Sequence, residues 1–495
     1  MKDAFEVVCV VLVGLGALPV LAGIYQYALI PIHGVRNHLP KTAPYLPNVA
    51  VVVPAWNEGP VLGASLDRLM SLEYPPDRLR VFVVDDASTD DTPDVVLGKA
   101  GQYPGRIVHL RREKGGEGKA HTLNHGIRNI LSDDWMEALL IMDADVIYRP
   151  DSLRRMTRHL ADPEVGAVTA FIKEGSGRPS VLTRFIRYEY TTAQGCARRA
   201  QNVLGAIACL AGGAQLHSRH NLVSLGGAID TSTLAEDTYM TFLTQLDGRR
   251  VVFEPAAVVL AEEPDSINAL WKQRVRWGRG NVQITSRFKH LWFRRPWLLR
   301  PGGQRLGSWS FGFIWFSIYL LPMLMTLGSL GLLGLYFVDD LRAADAFRAL
   351  WWVAGTAYLF VTLSTLMIDW RSARDTWVQA FAFPGLGSIV IMVAAWFPGF
   401  WEETVPGWFG LELDDSGRVA WTMLLYSWAV LSMALAWALK QVERLPKGYW
   451  ASRIMLFVVG FGPLLCAMSI DSYVKEVRGA AAVWDKTVKT GRVVG

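Results

Sequence analysis

The sequence predicts an α/β domain on a mostly parallel sheet, joined to an α-helical transmembrane region. Three observations carry this expectation. Of 495 residues, 51% are hydrophobic and only 19% charged, against about 25% charged in ordinary soluble domains. Long apolar runs cluster near the beginning and in the last third, with a mean hydropathy of +0.21. Between them, over residues 49–260, short apolar runs alternate with amphipathic stretches. This pattern excludes a disordered chain, a collagen-like chain and a simple cytosolic enzyme.

Residues 5–30 supply the first run. It exceeds the roughly 7–15 apolar residues of a signal-peptide core, and only Lys2, beside Asp3, precedes it. It reads as an uncleaved anchor, with residues 1–35 as an N-terminal transmembrane segment. Residues 36–267 read as the α/β domain. VAVVVPAW, RVFVVDDAS, RIVHL and EALLIMDADV are apolar strands ending in polar residues. GPVLGASLDRLMSL and GKAHTLNHGIRNIL have helical spacing. Alternation of this kind builds a parallel sheet whose ligands gather at the carboxyl ends of the strands. Asn57-Glu58, Asp85-Asp86 and Asp143-Asp145 fall at such ends.

Residues 268–307 change character. Between 268 and 300 stand nine Lys or Arg, no Asp or Glu, and four Trp, which suits helices lying in the headgroup layer. Residues 308–470 hold five candidate spans, at roughly 309–338, 347–368, 377–397, 419–439 and 450–470. The third is interrupted by Pro384, Gly385, Gly387 and Pro398 and reads as the weakest. The segments around 338–342 and 401–418 are acidic, whereas Arg371, Arg374, Lys440, Arg444 and Lys447 make two loops basic. The positive-inside rule then puts the α/β domain in the cytoplasm of an integral plasma (inner) membrane protein. Five C-terminal spans would leave the basic tail, residues 471–495, outside. One of the five is therefore expected not to cross fully.

The four cysteines, Cys9, Cys196, Cys209 and Cys466, form no C-x-x-C pair. That excludes a disulfide scaffold and a cysteine zinc site. The net charge of +5 suits lipid-facing basic loops better than nucleic-acid binding, so membrane lipids and not nucleic acid are the expected partners.

Several residue sets have the chemistry of a site. Asp143 and Asp145 at a strand end can hold a hard divalent cation beside a phosphate; as a lone D-x-D they equally fit a solvated turn. Asp85 and Asp86 can accept from a base imide and a ribose hydroxyl, or belong to the helix-capping cluster of residues 88–92. Pro54-Ala55-Trp56-Asn57-Glu58 leaves the first strand, with Trp56 offering a flat face to a nucleobase. Lys119 follows Gly115, Gly116 and Gly118 at a helix start, a phosphate-friendly place, but the Walker spacing is absent. Glu236 and Asp237 read, on residue type alone, as an acidic helix start. Gln273-Arg274-Val-Arg276-Trp277 has arginines for a pyrophosphate and a tryptophan for a sugar face, or is an amphipathic surface helix.

Taken in order, PAWNE, VVDDASTDDT, GKA, DADV, a strand containing Gly212-Gly213, AEDT and QRVRW resemble the membrane-integrated family 2 glycosyltransferases. These include cellulose, chitin, hyaluronan and poly-N-acetylglucosamine synthases. The resemblance covers about residues 49–290. It implies a GT-A fold, Rossmann-like in its mostly parallel sheet, and inverting, metal-dependent transfer from a UDP-sugar to a growing polysaccharide extruded across the membrane. By that resemblance Pro54, Ala55, Asn57, Glu58, Asp85 and Asp86 would hold the nucleotide. Lys119 and Asp143 would face the diphosphate and sugar, and Asp145 would bind Mg2+ or Mn2+. Asp237, with Glu236 beside it, would be the general base. Gln273, Arg274, Arg276 and Trp277 would line the acceptor and pyrophosphate. The tail VWDKTVKTGR resembles the loops that fold over the donor in related synthases, which makes Trp484, Lys486 and Thr487 candidate gating-loop residues. The alternative is a transferase of single sugars to a membrane lipid such as ceramide, diacylglycerol or polyprenyl phosphate, since ceramide glucosyltransferases carry a similar Q-x-x-R-W motif. The donor sugar and the oligomeric state are left open.

Overall fold

A computed structural model of the chain describes residues 2–35, 41–293, 305–446, 448–481, 491 and 493. The candidate gating residues Trp484, Lys486 and Thr487 lie outside these. The chain divides into two units. One comprises residues 29–265, 279–312 and 480–495, the other residues 1–28, 266–278 and 313–479.

The first unit is built on an eight-stranded sheet. Its strands are β1 (Val49–Ala55), β2 (Leu79–Asp85), β3 (Ile107–Arg111), β4 (Ala138–Ile141), β5 (Ile147–Tyr148), β6 (Val165–Glu174), β7 (Gln215–Ser218) and β8 (Arg250–Ala261). Their order is β3-β2-β1-β4-β7-β6-β8-β5. The four strands read from the sequence, β1 to β4, pair parallel throughout. Beyond β4 the sheet is mixed. β7 runs antiparallel to both β4 and β6, and β8 is parallel to β6 but antiparallel to the short β5. The result is a GT-A-like curled sheet.

β1 sits in the middle of the parallel half. Six of its seven residues are buried, which is why it reads as an unbroken apolar run instead of alternating. Ala50, Val52, Val84, Leu139 and Ile141 pack on Leu123, Ile127 and Ile130 of helix Lys119–Ile130. Leu62, Leu66 and Leu69 form the buried stripe of helix Gly59–Met70, at the i, i+4, i+7 spacing of one helix face. These helices fix the strand ends that carry the candidate residues. Gly212 and Gly213 lie in the turn leading into β7, not within a strand.

The second unit is helical. Helices Lys2–Val35 and Asp340–Ile368 are each long and apolar enough to cross a membrane. Four further helix pairs pass the same test only jointly, because each is bent: 73° between Tyr319 and Leu321, 70° between Ala382 and Gly385, 50° between Tyr426 and Trp428, and 100° between Val459 and Phe461. Among the described residues this allows two crossings, or up to six if each bent pair is one span. The sequence singled out one interrupted run, around Pro384; the structure bends four.

Two of the breaks meet. Gly385 has φ +83° and Gly460 φ +99°. A Cβ on Gly385 would lie 2.4 Å from the Val459 carbonyl oxygen, and one on Gly460 would lie 2.4 Å from the Pro384 carbonyl carbon. Elsewhere, the N-terminal helix packs closely on helix Leu321–Tyr336, where a Cβ on Gly16 would lie 3.0 Å from Gly328 Cα.

Candidate active site

The first loop after the sheet is stitched to the second. Asn57 stands at φ +53°, a left-handed conformation that asparagine tolerates better than most side chains. Its backbone N–H donates to Ser88 Oγ (2.9 Å), and its Oδ1 accepts from the Thr89 N–H (2.8 Å). The Glu58 N–H donates to Thr92 Oγ1 (2.8 Å). Asn57 is thus a brace between the ends of β1 and β2. Pro54 and Ala55 end β1 beneath it, and Trp56 keeps 40% of its surface exposed.

Asp85 is fully buried, yet it is charge-paired: Arg111 Nη1 approaches Oδ2 at 2.6 Å, and the Ser88 N–H donates to Oδ1 at 2.8 Å. The register of β2 on β3 sets Asp85 directly against Arg111. Asp86 pairs with Arg112 and accepts from the Gly116 N–H at 2.9 Å. The sequence reading passed over Arg111 and Arg112. Two adjacent arginines at the end of the third apolar run were visible, but the register that sets them against the aspartates was not.

Lys119 opens helix Lys119–Ile130 and gathers the remaining charges. Its Nζ lies 2.5 Å from Asp143 Oδ1 and 3.7 Å from Glu236 Oε1, and it donates to the Gly212 carbonyl at 3.2 Å. Burial opposes its charge, but the carboxylates of Asp143, Glu236 and Asp237 outweigh that cost and hold its pKa above the ordinary lysine value. Asp143 and Asp145 are both half-buried, on either side of the buried Ala144, just past the end of β4. Tyr148 is buried and donates from its hydroxyl to the Gly213 carbonyl at 3.1 Å. Burial and the charge of Asp143 push that phenol well above its usual pKa.

Glu236 and Asp237 begin helix Glu236–Leu246. Asp237 Oδ1 accepts from the Thr238 N–H (2.7 Å). The Gly212-Gly213 turn runs past these groups with no side chain of its own. A Cβ on Gly212 would stand 3.3 Å from both Asp237 Oδ2 and Lys119 Nζ, and one on Gly213 would stand 3.2 Å from Asp143 Oδ2. The two glycines therefore keep clear the space where the carboxylates converge.

Residues that the sequence reading missed hold this turn in place. The Leu210 N–H donates to Thr241 Oγ1 (2.8 Å), and the Thr241 hydroxyl donates to the Asp237 carbonyl (2.6 Å). The Ala211 N–H donates to Thr169 Oγ1 (3.1 Å), and Gln245 both accepts from the Ile207 N–H and donates to the Ile207 carbonyl. A threonine one helical turn after an acidic helix start is an ordinary surface pattern, so nothing in the sequence marks it.

The donor set suits a hard divalent cation. Asp143 and Asp145 offer only carboxylate oxygens, beside a space without side chains. Such a pair suits Mg2+ or Mn2+, which take one or two carboxylates and complete their shell with water and substrate phosphates.

Gln273, Arg274, Arg276 and Trp277 lie on helix Ile267–Arg287, in the part belonging to the helical unit. Arg274 donates from Nη1 to Gln273 Oε1 (2.8 Å), and its guanidinium lies 4.1 Å from the Trp277 ring centre. Gln273 and Arg274 are buried, and Trp271 is 1% exposed. In the tail, the Gly491 N–H donates to Glu262 Oε2 (2.9 Å), and Val493 forms a bridge with Ser176.

Residues 47–280 match the family described as "Glycosyltransferase like family 2". The chain is 31% identical over 251 residues to a probable glycosyltransferase, YdaM, of Bacillus subtilis; the match covers 50% of this chain and 59% of that protein. It is 27% identical over 270 residues to a poly-beta-1,6-N-acetyl-D-glucosamine synthase of Staphylococcus aureus, covering 54% of this chain and 63% of that one. The aligned part thus spans about three-fifths of the length of these curated relatives. Among solved structures, a mannosyltransferase from Pyrobaculum calidifontis in complex with GDP-Man and Mn2+ superposes with a TM-score of 0.54. It shares 23% identity, over 81% of this chain and 99% of that chain, and the likeness is one of fold.

Proposed function

From the match of residues 47–280 to family 2 glycosyltransferases, we propose that this chain is such an enzyme and that it transfers a sugar from a UDP-sugar, with inversion, to a growing polysaccharide that it passes across the membrane. The observation that carries the reading is the meeting of Asp143 with Glu236 and Asp237 on one lysine. A donor-side carboxylate and a candidate base then share a single pocket. The apolar helices and the likeness to a polysaccharide synthase support a polymer product made at a membrane.

In the proposed reaction, Asp237 accepts the proton of an acceptor hydroxyl as that oxygen attacks the anomeric carbon. The new C–O bond forms as the bond to the UDP oxygen breaks, and UDP leaves with the electron pair. Bound Mg2+ or Mn2+, held by Asp145 with Asp143 beside it, would neutralise charge on the departing diphosphate. Lys119, kept cationic by its carboxylates, steadies the same side. Asp85 and Asp86, with Arg111 and Arg112, form the floor for the nucleotide, and Trp56 offers a face to its base. Gln273, Arg274, Arg276 and Trp277 line the acceptor and pyrophosphate path. We place the catalytic unit in the cytoplasm of the plasma membrane, because the basic loops mark that side.

The test is incubation of the purified full chain with labelled UDP-glucose, UDP-N-acetylglucosamine, UDP-galactose and UDP-glucuronate, with and without Mg2+ or Mn2+. A metal-dependent, water-soluble or precipitable polymer from one of them is expected. A chloroform-extractable monoglycosylated product would overturn the polymer reading in favour of a lipid acceptor. Absence of UDP release with every donor would overturn both.

A further inference from the structure

Helix Ile267–Arg287 carries Gln273 and Trp277, and its start is held by more partners than a helix start requires. Ordinary capping satisfies an orphan amide with one local side chain. Here Ser266 Oγ accepts from the Ala269 N–H (3.2 Å). In addition, Glu443 reaches in from the far end of helix Trp428–Val442. Its Oε1 accepts from the Ile267 N–H (2.8 Å), and its Oε2 accepts from the Asn268 N–H (2.8 Å) and Nδ2 (2.7 Å). Arg444 next to it donates from Nε to Asn268 Oδ1 (3.0 Å). One turn on, the buried Trp271 donates from Nε1 to Asp471 Oδ2 (2.6 Å), and Lys440 Nζ lies 4.3 Å from its ring centre. Just beyond the motif, a Cβ on Gly278 would stand 2.5 Å from Ser472 Oγ. Residues 273–277 are therefore bracketed by two contacts with adjacent residues of helix Phe461–Val477.

We propose that Glu443 and Asp471 are positioning residues for transfer: by clamping the first turn and Trp271 they set the rotation and height of the helix that presents Gln273 and Trp277. A slip of one residue would turn every side chain of the motif by about 100°. A carboxylate that takes two successive backbone amides allows no such slip. Neither residue belongs to the motif or to the carboxylate cluster. The inference rests on the reading that Gln273 and Trp277 face the acceptor.

The test uses the full chain in detergent or vesicles, with UDP as binding probe and, as donor, the UDP-sugar of the panel above with the highest turnover. Glu443→Ala and Trp271→Phe are each expected to lower kcat for transfer about 10- to 100-fold, the usual cost of misplacing a reacting partner. UDP affinity and donor KM should change much less than kcat. Asp471→Asn, which keeps the carbonyl acceptor for the Trp271 N–H, should retain most of the turnover, and Glu443→Gln, which keeps one of the two acceptor oxygens, should recover part of it. Two results would overturn the clamp: unaltered kcat in both disruptive variants, or parallel loss of UDP affinity and melting temperature that the conservative variants do not relieve. Gln273→Ala and Trp277→Ala separate the two layers of argument. If they leave transfer intact, the acceptor reading of the helix fails and the clamp with it. If they impair transfer while Glu443→Ala and Trp271→Phe do not, the clamp alone fails.

Discussion

Asp237 and Lys119 carry opposite parts of the proposed chemistry. Lys119 is buried among three acids and stays cationic because they raise its pKa. Its stabilising charge is thus complete below the ordinary lysine value and is lost only as pH climbs through the raised one. Asp237, half-buried beside the open space at Gly212, is the general base of the proposed reaction. Asp237→Asn should reduce turnover about 10²- to 10⁴-fold, the usual share of a general base, while UDP affinity measured by calorimetry stays the same. Turnover close to that of the parent would move the base elsewhere. A second titration is read in stability. His217 in β7 is fully buried, with Nδ1 facing Asn221 Nδ2 (3.2 Å) and Nε2 facing Gln215 Oε1 (3.4 Å). Burial lowers its pKa from 6.5 to about 4. The unfolded chain therefore binds the proton first as pH falls. Stability should drop between about pH 6.5 and 4, by about 3 kcal/mol in all. Thermal melts across that window should show the loss, and His217→Gln should flatten it.

At the level of elements, legibility followed the kind of force that shapes each one. β1 to β4 and the helices after β1 and before β4 could be read directly, because buried parallel strands and amphipathic helices leave periodicities of their own. On residue type alone, Asp143, Glu236 and Asp237 were legible as strand-end and helix-start acids; that they would meet followed only from the resemblance. Only the register of β2 on β3 reveals Arg111 as the partner of Asp85. Likewise, Thr169, Thr241 and Gln245 act through bonds between residues far apart in the chain. The helix breaks were half legible. Pro384 announces one; Gly460, followed by Gly462 and Pro463 inside the run 450–470, marks another that was passed over. Its requirement is three-dimensional: φ +99° and ψ 151°, a region nearly closed to other residues, with the Pro384–Gly385 backbone against it. Gly460→Ala should destabilise the helical unit by at least about 1–3 kcal/mol from backbone strain alone. A lower melting temperature in detergent would register this, whereas an exposed control such as Gly399→Ala, with no heavy atom near its Cβ, should change little.

The whole molecule poses a problem of sides. If, as proposed, the catalytic unit and the tail both lie in the cytoplasm, the chain between them crosses an even number of times. Among the described residues after 308 there are five candidates: the straight helix Asp340–Ile368 and four bent pairs. One pair must then enter and return on the same side. The halves of these pairs are 11 to 17 residues long, about 17–26 Å at 1.5 Å per residue. No half spans a hydrocarbon core of about 30 Å alone, so a sharp bend determines whether a pair crosses. The 100° break at Gly460 is the sharpest, and it belongs to the pair whose second helix carries Asp471 against Trp271. That helix must stay at the depth of the helix bearing Gln273 and Trp277, so residues 448–477 are the pair expected to return. Impermeant thiol labelling of introduced cysteines in intact cells would test this. Asp414→Cys, in the acidic segment, should react from outside, and Arg374→Cys should react only after permeabilisation. Arg444→Cys and Arg478→Cys, at the two ends of the returning pair, should both behave like Arg374→Cys. Labelling of Arg478→Cys from outside would make the pair a full span and put the tail on the far side from the catalytic unit.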